Sequence, residues 1–175
     1  RKIMLKVLGL IMIVVSGAGI GYSLSMDLTR KEKHLEMLLR MTILLNGEIR
    51  YGNASLYDSF TGAAAKMQGE YREFLLGVAE EMGKHKGESF GDIFRKCAGN
   101  HFQKERLTEE ERDRFYSLGE HLGYLDLDMQ MKQLELFEED IEYSIKKLQK
   151  DLPARKKAYR SLGLLLGILL AVVVW

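Results

Sequence analysis

The sequence predicts an all-α protein, in which a compact helical bundle of about five to six helices is flanked by N- and C-terminal transmembrane helices. Two observations lead to this fold class. An uncharged, apolar run stands near each end of the 175 residues. Between the runs, the 134 residues from Asp27 to Arg160 contain one valine, five isoleucines and four threonines, too few β-branched residues to build a sheet.

The first apolar run, Val7 to Met26, consists of twenty uncharged residues. As a helix it rises about 1.5 Å per residue and reaches roughly 30 Å, the thickness of the hydrocarbon core of a bilayer. A cleaved signal peptide is the alternative, because basic residues precede the run and the small residues around Ser25 suit a cleavage site. Signal peptides have shorter apolar regions, so we expect residues 1–26 to form an N-terminal transmembrane anchor.

Residues 27–152 are expected to fold as the helical domain. Apolar residues recur every three or four positions along the first predicted helix, as in an amphipathic helix. That face carries Leu35, Leu38, Thr42, Leu45 and Ile49. Glycines, capping residues and further apolar repeats then delimit the later helices. The predicted helices cover about residues 28–51, 55–67, 70–85, 89–97, 108–123 and 126–152.

The clearest helix start lies at Thr108, which forms a capping-box pattern with Glu111. Acidic residues also crowd this first turn, where the helix dipole favours them. The last helix carries a long apolar stripe on one face. Its members are Leu127, Met131, Leu134, Phe137, Ile141, Ile145, Leu148 and Leu152. Pro153 has no amide N–H, so it either kinks that helix or marks a break before the final anchor.

The second apolar run, Ser161 to Trp175, has fifteen uncharged residues and reaches about 22 Å as a helix, which is short for a bilayer. Lys157 and Arg160 can extend it by directing their charged ends to the interface, where Trp175 is also favoured. A buried core helix is the alternative. A helix that is apolar on every face rarely finds full cover in so small a domain, so we expect residues 153–175 to form a C-terminal transmembrane anchor.

Basic residues near the two runs predict the orientation, since lysine and arginine favour the cytoplasmic side. Within fifteen residues of the runs, eleven basic residues lie on the domain side and three on the other. We therefore expect a cytoplasmic domain with both termini outside. Each run also contains two small residues four apart, Gly17 with Gly21 and Gly163 with Gly167. Such pairs allow close helix packing in lipid, although ordinary lipid-facing glycine is the alternative.

Few residues have a pattern that suggests chemistry. Cys97 and His101 stand four apart on a predicted helix, but two ligands do not make a zinc site, and a membrane-bound hydrolase or metalloenzyme would need further ligands. A core cysteine beside a partly exposed histidine is the simpler interpretation. His34, His85 and His121 have no site-like spacing and are interpreted as surface residues. No phosphate loop, nucleophile elbow or dinucleotide motif appears, so the sequence predicts neither an enzyme nor a cofactor.

Charge is nearly balanced from Asp27 to Arg160, where 23 basic and 25 acidic residues give a formal charge of −2. Nucleic-acid binding needs a basic face, so it is not expected. The last helix carries an acidic block, Glu135 to Glu142, followed by a basic block, Lys146 to Arg160. The basic block suits anionic lipid headgroups, and the acidic block is either a solvated face or a docking face for a basic partner.

Several short motifs follow one another along nearly the whole chain. They are Met4-Leu5-Lys6, Glu48-Ile49-Arg50-Tyr51-Gly52, Leu56, Leu118-Gly119-Glu120-His121-Leu122-Gly123, Asp126, Gln130 and Ser161-Leu162-Gly163. In their order and spacing they resemble the stage III sporulation protein AB family of endospore-forming bacteria. One departure is Ser55, which stands where such sequences often have proline. Since both residues suit a helix start, we expect the turn to be kept.

This resemblance implies a part of the channel, or secretion-like complex, that links mother cell and forespore. It also implies a helical domain similar to the cytoplasmic domains of inner-membrane platform proteins in type II secretion and type IV pilus systems. By that likeness the partners are the membrane, the AA ATPase encoded alongside this family and other membrane components of the complex. A second copy of the chain is a further candidate. The expected location is the mother-cell membrane around the forespore.

Together these features predict a non-enzymatic membrane platform or adaptor that docks a cytosolic ATPase. The residues expected to bind a partner lie at two turns, with Glu48, Tyr51 and Gly52 at the first and Gly123, Asp126 and Gln130 at the second. The structural alternative is that Tyr51 packs and that both glycines stop helices in the αL conformation. A membrane-tethered helical sensor or regulator is the alternative function, although no polar cluster in the sequence suits ligand capture.

Overall fold

In the computed structural model, which describes residues 2–52, 55–84, 87–102 and 106–174, the described residues are mostly helical and contain no strand. The all-α prediction is therefore confirmed. The helices are α1 (Lys2–Gly52), α2 (Leu56–Ala65), α3 (Gly69–Gly83), α4 (Phe90–His101), α5 (Glu109–Leu122) and α6 (Leu127–Val174).

The first and last helices are longer than predicted, because each one combines an apolar run with a domain helix. α1 passes from the first run into the domain without interruption, since no proline or left-handed glycine separates the two. α6 continues through Pro153, so this residue does not mark a break. Trp175, which was expected at the membrane interface, lies outside the described residues.

One helix among the described residues is long and apolar enough to cross a membrane, and it covers Ile11–Tyr51. Length and composition thus support the N-terminal span. The C-terminal run does not pass the same test over its described part. The C-terminal anchor therefore stays a prediction.

The chain divides into two compact units. The first, called the hairpin unit below, comprises the described parts of residues 1–32 and 146–175. The second, called the domain unit, comprises residues 33–145, in which α2 packs on α3, α3 on α4 and α4 on α5. The domain unit also pairs α1 with α6, because the Asn46 amide donates to Glu138 at 3.0 Å and Arg50 donates to Glu135 at 2.5 Å.

All seven phenylalanines of the chain meet in one ring cluster within the domain unit. They are Phe60, Phe74, Phe90, Phe94, Phe102, Phe115 and Phe137. Phe94 contacts four of the other rings, with ring centroids 4.8 to 6.4 Å apart. Ring pairs at such distances contribute about 0.5–1.5 kcal/mol each beyond the burial of their area. The cluster joins side chains from α2 to α6 into one core.

The apolar face predicted for the first domain helix is confirmed, since its five residues are each at most 3% exposed. Polar caps also begin three domain helices where the sequence predicts. Ser55 and Thr108 each form a full capping box with the acidic residue three positions later. Ser89 accepts the backbone N–H of Asp92. Each cap satisfies amide donors at a helix start and is worth about 1 kcal/mol. The helix start at Ser55 is thus kept, as expected.

Candidate interaction sites

The end of α1 carries the first set of predicted partner-binding residues. The Glu48 carboxylate pairs with Lys66 at 2.5 Å. The same side chain occupies the space beside Gly62, where an added Cβ would lie 2.6 Å from Glu48 Oε2. Tyr51 is 82% exposed, and Gly52 is the last residue of α1. Glu48 therefore joins α1 to α2, whereas Tyr51 does not pack into the core and offers an exposed aromatic ring.

The second set lies in the turn between α5 and α6, and its polar side chains brace that turn. The Asp126 carboxylate accepts the N–H of Met129 at 2.9 Å. The Gln130 side-chain amide donates to the carbonyl oxygens of Leu122 and Leu125, at 2.8 and 3.1 Å. These bonds satisfy one carbonyl group at the end of α5, one in the turn and an amide at the start of α6. Both side chains therefore hold the shape of the turn.

Gly123, in the same turn, is needed for close packing. Its φ is −75° and its ψ −22°, in the right-handed helical region, so the αL interpretation is wrong for this residue. An added Cβ would lie only 2.7 Å from the Cβ of Phe90 at the start of α4. Among the described glycines, positive φ occurs at Gly69 and Gly87 instead, with values of 61° and 74°.

Exposed apolar side chains crowd the turn that Asp126 braces. Tyr124, Leu127 and Met129 are 71%, 47% and 56% exposed, and Asp126 and Asp128 lie between them in sequence. These five residues are called the turn patch below. Leu127, which was predicted to lie on the apolar stripe of the last helix, is exposed, because the buried part of that stripe begins further along α6. The sequence contained an indication of this exposure, since apolar residues at 124, 125, 127 and 129 cannot all share one face of a helix.

Charge is divided unevenly between the two units. Residues 33–145 contain 14 basic and 22 acidic residues, a formal charge of −8. Residues 1–32 and 146–175 contain 12 basic and 3 acidic residues, a formal charge of +9. The balance of the whole chain hides this division. A domain that is this acidic attracts basic partner surfaces and repels nucleic acid.

Part of the negative charge forms a face shared by α5 and α6. Arg114 pairs with Glu110 and lies 3.4 Å from Asp140, so it links the two helices. The side chains of Glu110 and Asp140 stay 76% and 52% exposed. Nearer the core, burial raises the pKa of Glu138, which accepts the Asn46 amide. The exposed carboxylates give this face a field that favours a basic partner.

His34 lies in the core, so its interpretation as a surface residue is wrong. It is 3% exposed, and the Tyr71 hydroxyl lies 2.6 Å from its Nδ1. Its ring also meets that of Phe102 edge-on, with centroids 5.6 Å apart. Burial, with a smaller effect of the Arg106 charge, lowers the pKa of His34 to about 4. His34 stands four residues before the buried Leu38, a spacing that places both on one helix face.

Cys97 and His101 both lie beside α3. An added Cβ on Gly77 would be 3.8 Å from the Cys97 sulfur and 3.2 Å from His101 Nε2. Cys97 is 4% exposed, and burial raises the pKa of its thiol, which keeps the thiol protonated and unreactive. The His101 side chain is 28% exposed, so the interpretation as a core cysteine beside a partly exposed histidine is confirmed. His121 is half-buried, and His85 lies outside the described residues.

Metal ligands do not cluster within the part of the chain that the structure describes. No three histidine, cysteine, aspartate or glutamate side chains there lie in a group that could hold a metal ion. Two buried side-chain atoms among the described residues lack a hydrogen-bond partner. They are His34 Nε2 and Asn46 Oδ1. Both belong to side chains whose other polar atom is bonded inside the domain unit.

Four glycines bring the backbones of α1 and α6 together in the hairpin unit. A Cβ on Gly17 would lie 2.7 Å from the carbonyl oxygen of Gly163, and a Cβ on Gly21 would lie 2.5 Å from that of Tyr159. A Cβ on Gly167 would lie 3.0 Å from a backbone atom of α1. The atoms met are main-chain atoms, which cannot turn aside. Any side chain at these positions therefore requires the two helices to move.

The neighbouring residues show which side of α1 takes part in this packing. Ser25, four residues after Gly21, is 1% exposed and continues the spacing of small residues. Gly9 and Gly19 lie on the open side, where an added Cβ would meet nothing within 4 Å. Sequence reasoning missed Ser25, although its spacing from Gly21 was the signal that identified the other glycines.

Comparison with known proteins gives a consistent family match. The family model described as stage III sporulation protein AB matches residues 6–175. The stage III sporulation protein AB of Bacillus subtilis (strain 168) is 24% identical over 170 residues, which cover 97% of this chain and 99% of that protein. No solved structure gives a significant match.

Proposed function

Because the chain belongs to the stage III sporulation protein AB family, and so has a role in endospore formation, we propose that it is a non-enzymatic membrane platform that docks a cytosolic ATPase. The hairpin unit holds the protein in the membrane, and the domain unit presents a docking surface. The partner is the AA ATPase of the same assembly. This assembly is the channel complex between mother cell and forespore. The observation that best supports docking is the turn patch on an acidic domain.

The turn patch has the composition of a protein interface. Tyrosine and methionine are enriched at the centres of such interfaces, and grouped apolar side chains in water mark sites of association. The hydrogen bonds of Asp126 and Gln130 fix the backbone that carries these side chains. A preorganised surface loses less entropy on binding. The acidic surroundings then select a partner with a basic surface.

The surface of the hairpin unit supports attachment to the membrane through both helices. Among the described side chains of the hairpin unit, eight apolar ones on α6 are at least 45% exposed, and α1 carries a similar set. Those of α6 are Leu162, Leu164, Leu165, Leu166, Ile168, Leu169, Leu170 and Val172. Such a surface is stable in hydrocarbon and not in water. With eleven basic residues on the domain side and three beyond the runs, the domain lies in the mother-cell cytoplasm with both termini outside.

Site-specific photo-crosslinking in sporulating cells tests the docking surface. A benzophenone amino acid replaces Tyr124 in the turn patch, Tyr51 at the first turn, or Tyr143, a 66% exposed control on α6. Membranes are isolated after irradiation and the attached proteins are identified by mass spectrometry. We expect the ATPase at Tyr124 and not at Tyr143. Equal capture of the ATPase at Tyr124 and Tyr143 would contradict the turn patch as the docking surface. Reproducible capture of a different regulator in place of the ATPase would contradict the platform and favour a sensor.

Paired variants measure how much the turn patch contributes. Leu127→Ser with Met129→Ser removes two of its three exposed apolar side chains and leaves Tyr124 in place, while Leu136→Ser, at a residue that is 43% exposed elsewhere on α6, is the control. We expect the double variant to reduce recovery of the ATPase at least tenfold, about 1.4 kcal/mol, with little change for the control. Counts of heat-resistant spores should follow the same order. An unchanged recovery with the double variant would exclude the turn patch as the docking surface.

A further inference from the structure

A cluster of basic side chains lies on α6 directly before its apolar run. The residues that line this shallow surface pocket are Pro153, Lys156, Lys157, Arg160, Ser161 and Leu164. Spacings of three and four residues place most of them along one side of the helix. The pocket is therefore basic towards the domain end of the hairpin unit and apolar where Leu164 lies.

The positive charge of this pocket is not balanced by the protein. Among the described residues, Lys156 and Lys157 make no ion pair, and Asp151 instead lies 3.6 Å from Arg155. Residues 146–160 contain seven basic residues and one acidic residue. A pocket with this surplus attracts an anion.

The position of the pocket along the hairpin unit matches the level of lipid headgroups. The Arg160 guanidinium lies over the ring of Tyr22, 5.6 Å from its centroid. Tyr22 stands near the end of the first uncharged run, and Arg160 directly precedes the second. Tyrosine and arginine at the ends of apolar helices are typical of the membrane interface. The two side chains therefore mark where hydrocarbon gives way to headgroups.

We propose that this pocket binds the headgroup phosphate of an anionic phospholipid. The Arg160 guanidinium offers a planar fork for two phosphate oxygens, and the two lysines supply further positive charge. The Ser161 hydroxyl is an additional donor beside them. Leu164 lies against the first part of an acyl chain, which a free phosphate ion lacks. The site needs only the membrane attachment of the hairpin unit and does not depend on an ATPase partner.

The test uses full-length protein in neutral detergent micelles, titrated by calorimetry. The probes are dioctanoyl phosphatidylglycerol, dioctanoyl phosphatidylcholine and inorganic phosphate. The site variant combines Lys156→Gln, Lys157→Gln and Arg160→Gln. Its control removes the same charge from the same helix outside the pocket, with the three substitutions K147Q, K150Q and R155Q. Far-UV circular dichroism and thermal unfolding establish that each variant is folded.

We expect phosphatidylglycerol to bind at least tenfold more tightly than phosphatidylcholine or inorganic phosphate. The site variant should lose at least tenfold of that affinity, and the control less than threefold. If both variants lost the same affinity for phosphatidylglycerol, the cause would be diffuse attraction to the whole basic block and the pocket would be excluded. If inorganic phosphate bound as tightly as phosphatidylglycerol, the pocket would be a site for free anions and not for a lipid. If the triple variant does not fold, Arg160→Gln alone should lose at least threefold, and an unchanged affinity would overturn the proposal.

Discussion

Substitution of Gly163 should separate α1 from α6 in the hairpin unit. A methyl group at this position would lie 2.6 Å from the carbonyl oxygen of Gly17 and 3.0 Å from the Cα of Gly21, whereas ordinary contacts begin at 3.4 Å. The helices must therefore move apart by about 0.8 Å for alanine. Overpacking of this kind costs about 1–3 kcal/mol, and the higher helix propensity of alanine offsets about 1 kcal/mol. Leucine fills more space and should separate the helices further.

The separation is measured between nitroxide labels on cysteines at the exposed positions of Leu8 and Val172, in a Cys97→Ala background. Dipolar electron resonance in lipid nanodiscs should give a short, narrow distance distribution for the parent protein and a longer, broader one for Gly163→Leu. Gly19→Leu is the matched control, because an added Cβ there meets nothing within 4 Å. Identical distributions for the parent and Gly163→Leu would refute glycine-mediated packing of α1 on α6.

Three further predictions concern the domain unit in the full-length protein. Because burial lowers the pKa of His34 to about 4 from 6.5, only the unfolded chain takes up a proton as pH falls between these values. The free energy of unfolding measured in urea should therefore fall by roughly 3 kcal/mol from pH 6.5 to 4. If His34→Phe shows the same dependence on pH, a group other than His34 causes it. Gly119→Ala places a methyl group against the ring of Phe94 and should lower the stability measured by thermal unfolding by about 1–3 kcal/mol. Gly47→Ala is the control, because an added Cβ there meets nothing within 4 Å. Equal effects of the two variants would contradict the packing of Phe94 on Gly119. Thr108→Ala should cost about 1 kcal/mol and speed amide exchange in the first turn of α5, and unchanged exchange would show that the cap is dispensable.

The parts of the fold that the sequence predicts well are those decided by neighbouring residues. The buried face from Leu35 to Ile49 follows from helical spacing, and the caps at Ser55 and Thr108 follow from side chains that bond their own helix. The sequence analysis did not predict that α1 continues past Met26. The hydropathy of the sequence changes there, but the helical conformation of the backbone does not. A helix ends where its hydrogen bonds are interrupted, and neither proline nor a left-handed glycine interrupts them at this point.

The candidate sites were harder to predict because they depend on contacts between residues distant in sequence. Gly123 lacks a side chain because Phe90 of another helix approaches it, which no local pattern records. The burial of His34 depends on Tyr71, whose hydroxyl it meets across the core. The exposure of Tyr51 likewise depends on which surfaces the other helices cover. The glycine pairs of the hairpin unit, in contrast, had a spacing that pointed to their position.

The pairing of α1 with α6 in the domain unit has a consequence for synthesis of the protein. Asn46 and Glu138 are 92 residues apart, and Arg50 and Glu135 are 85 apart. A ribosome that adds about 5–20 residues per second takes roughly 5–20 s over such a stretch. During that time the helices between them can pack on one another, while α1 has not yet met α6. The α1–α6 bonds therefore cannot form until the last helix emerges from the ribosome, so the pairing of α1 with α6 is the last part of the domain unit to be completed during synthesis.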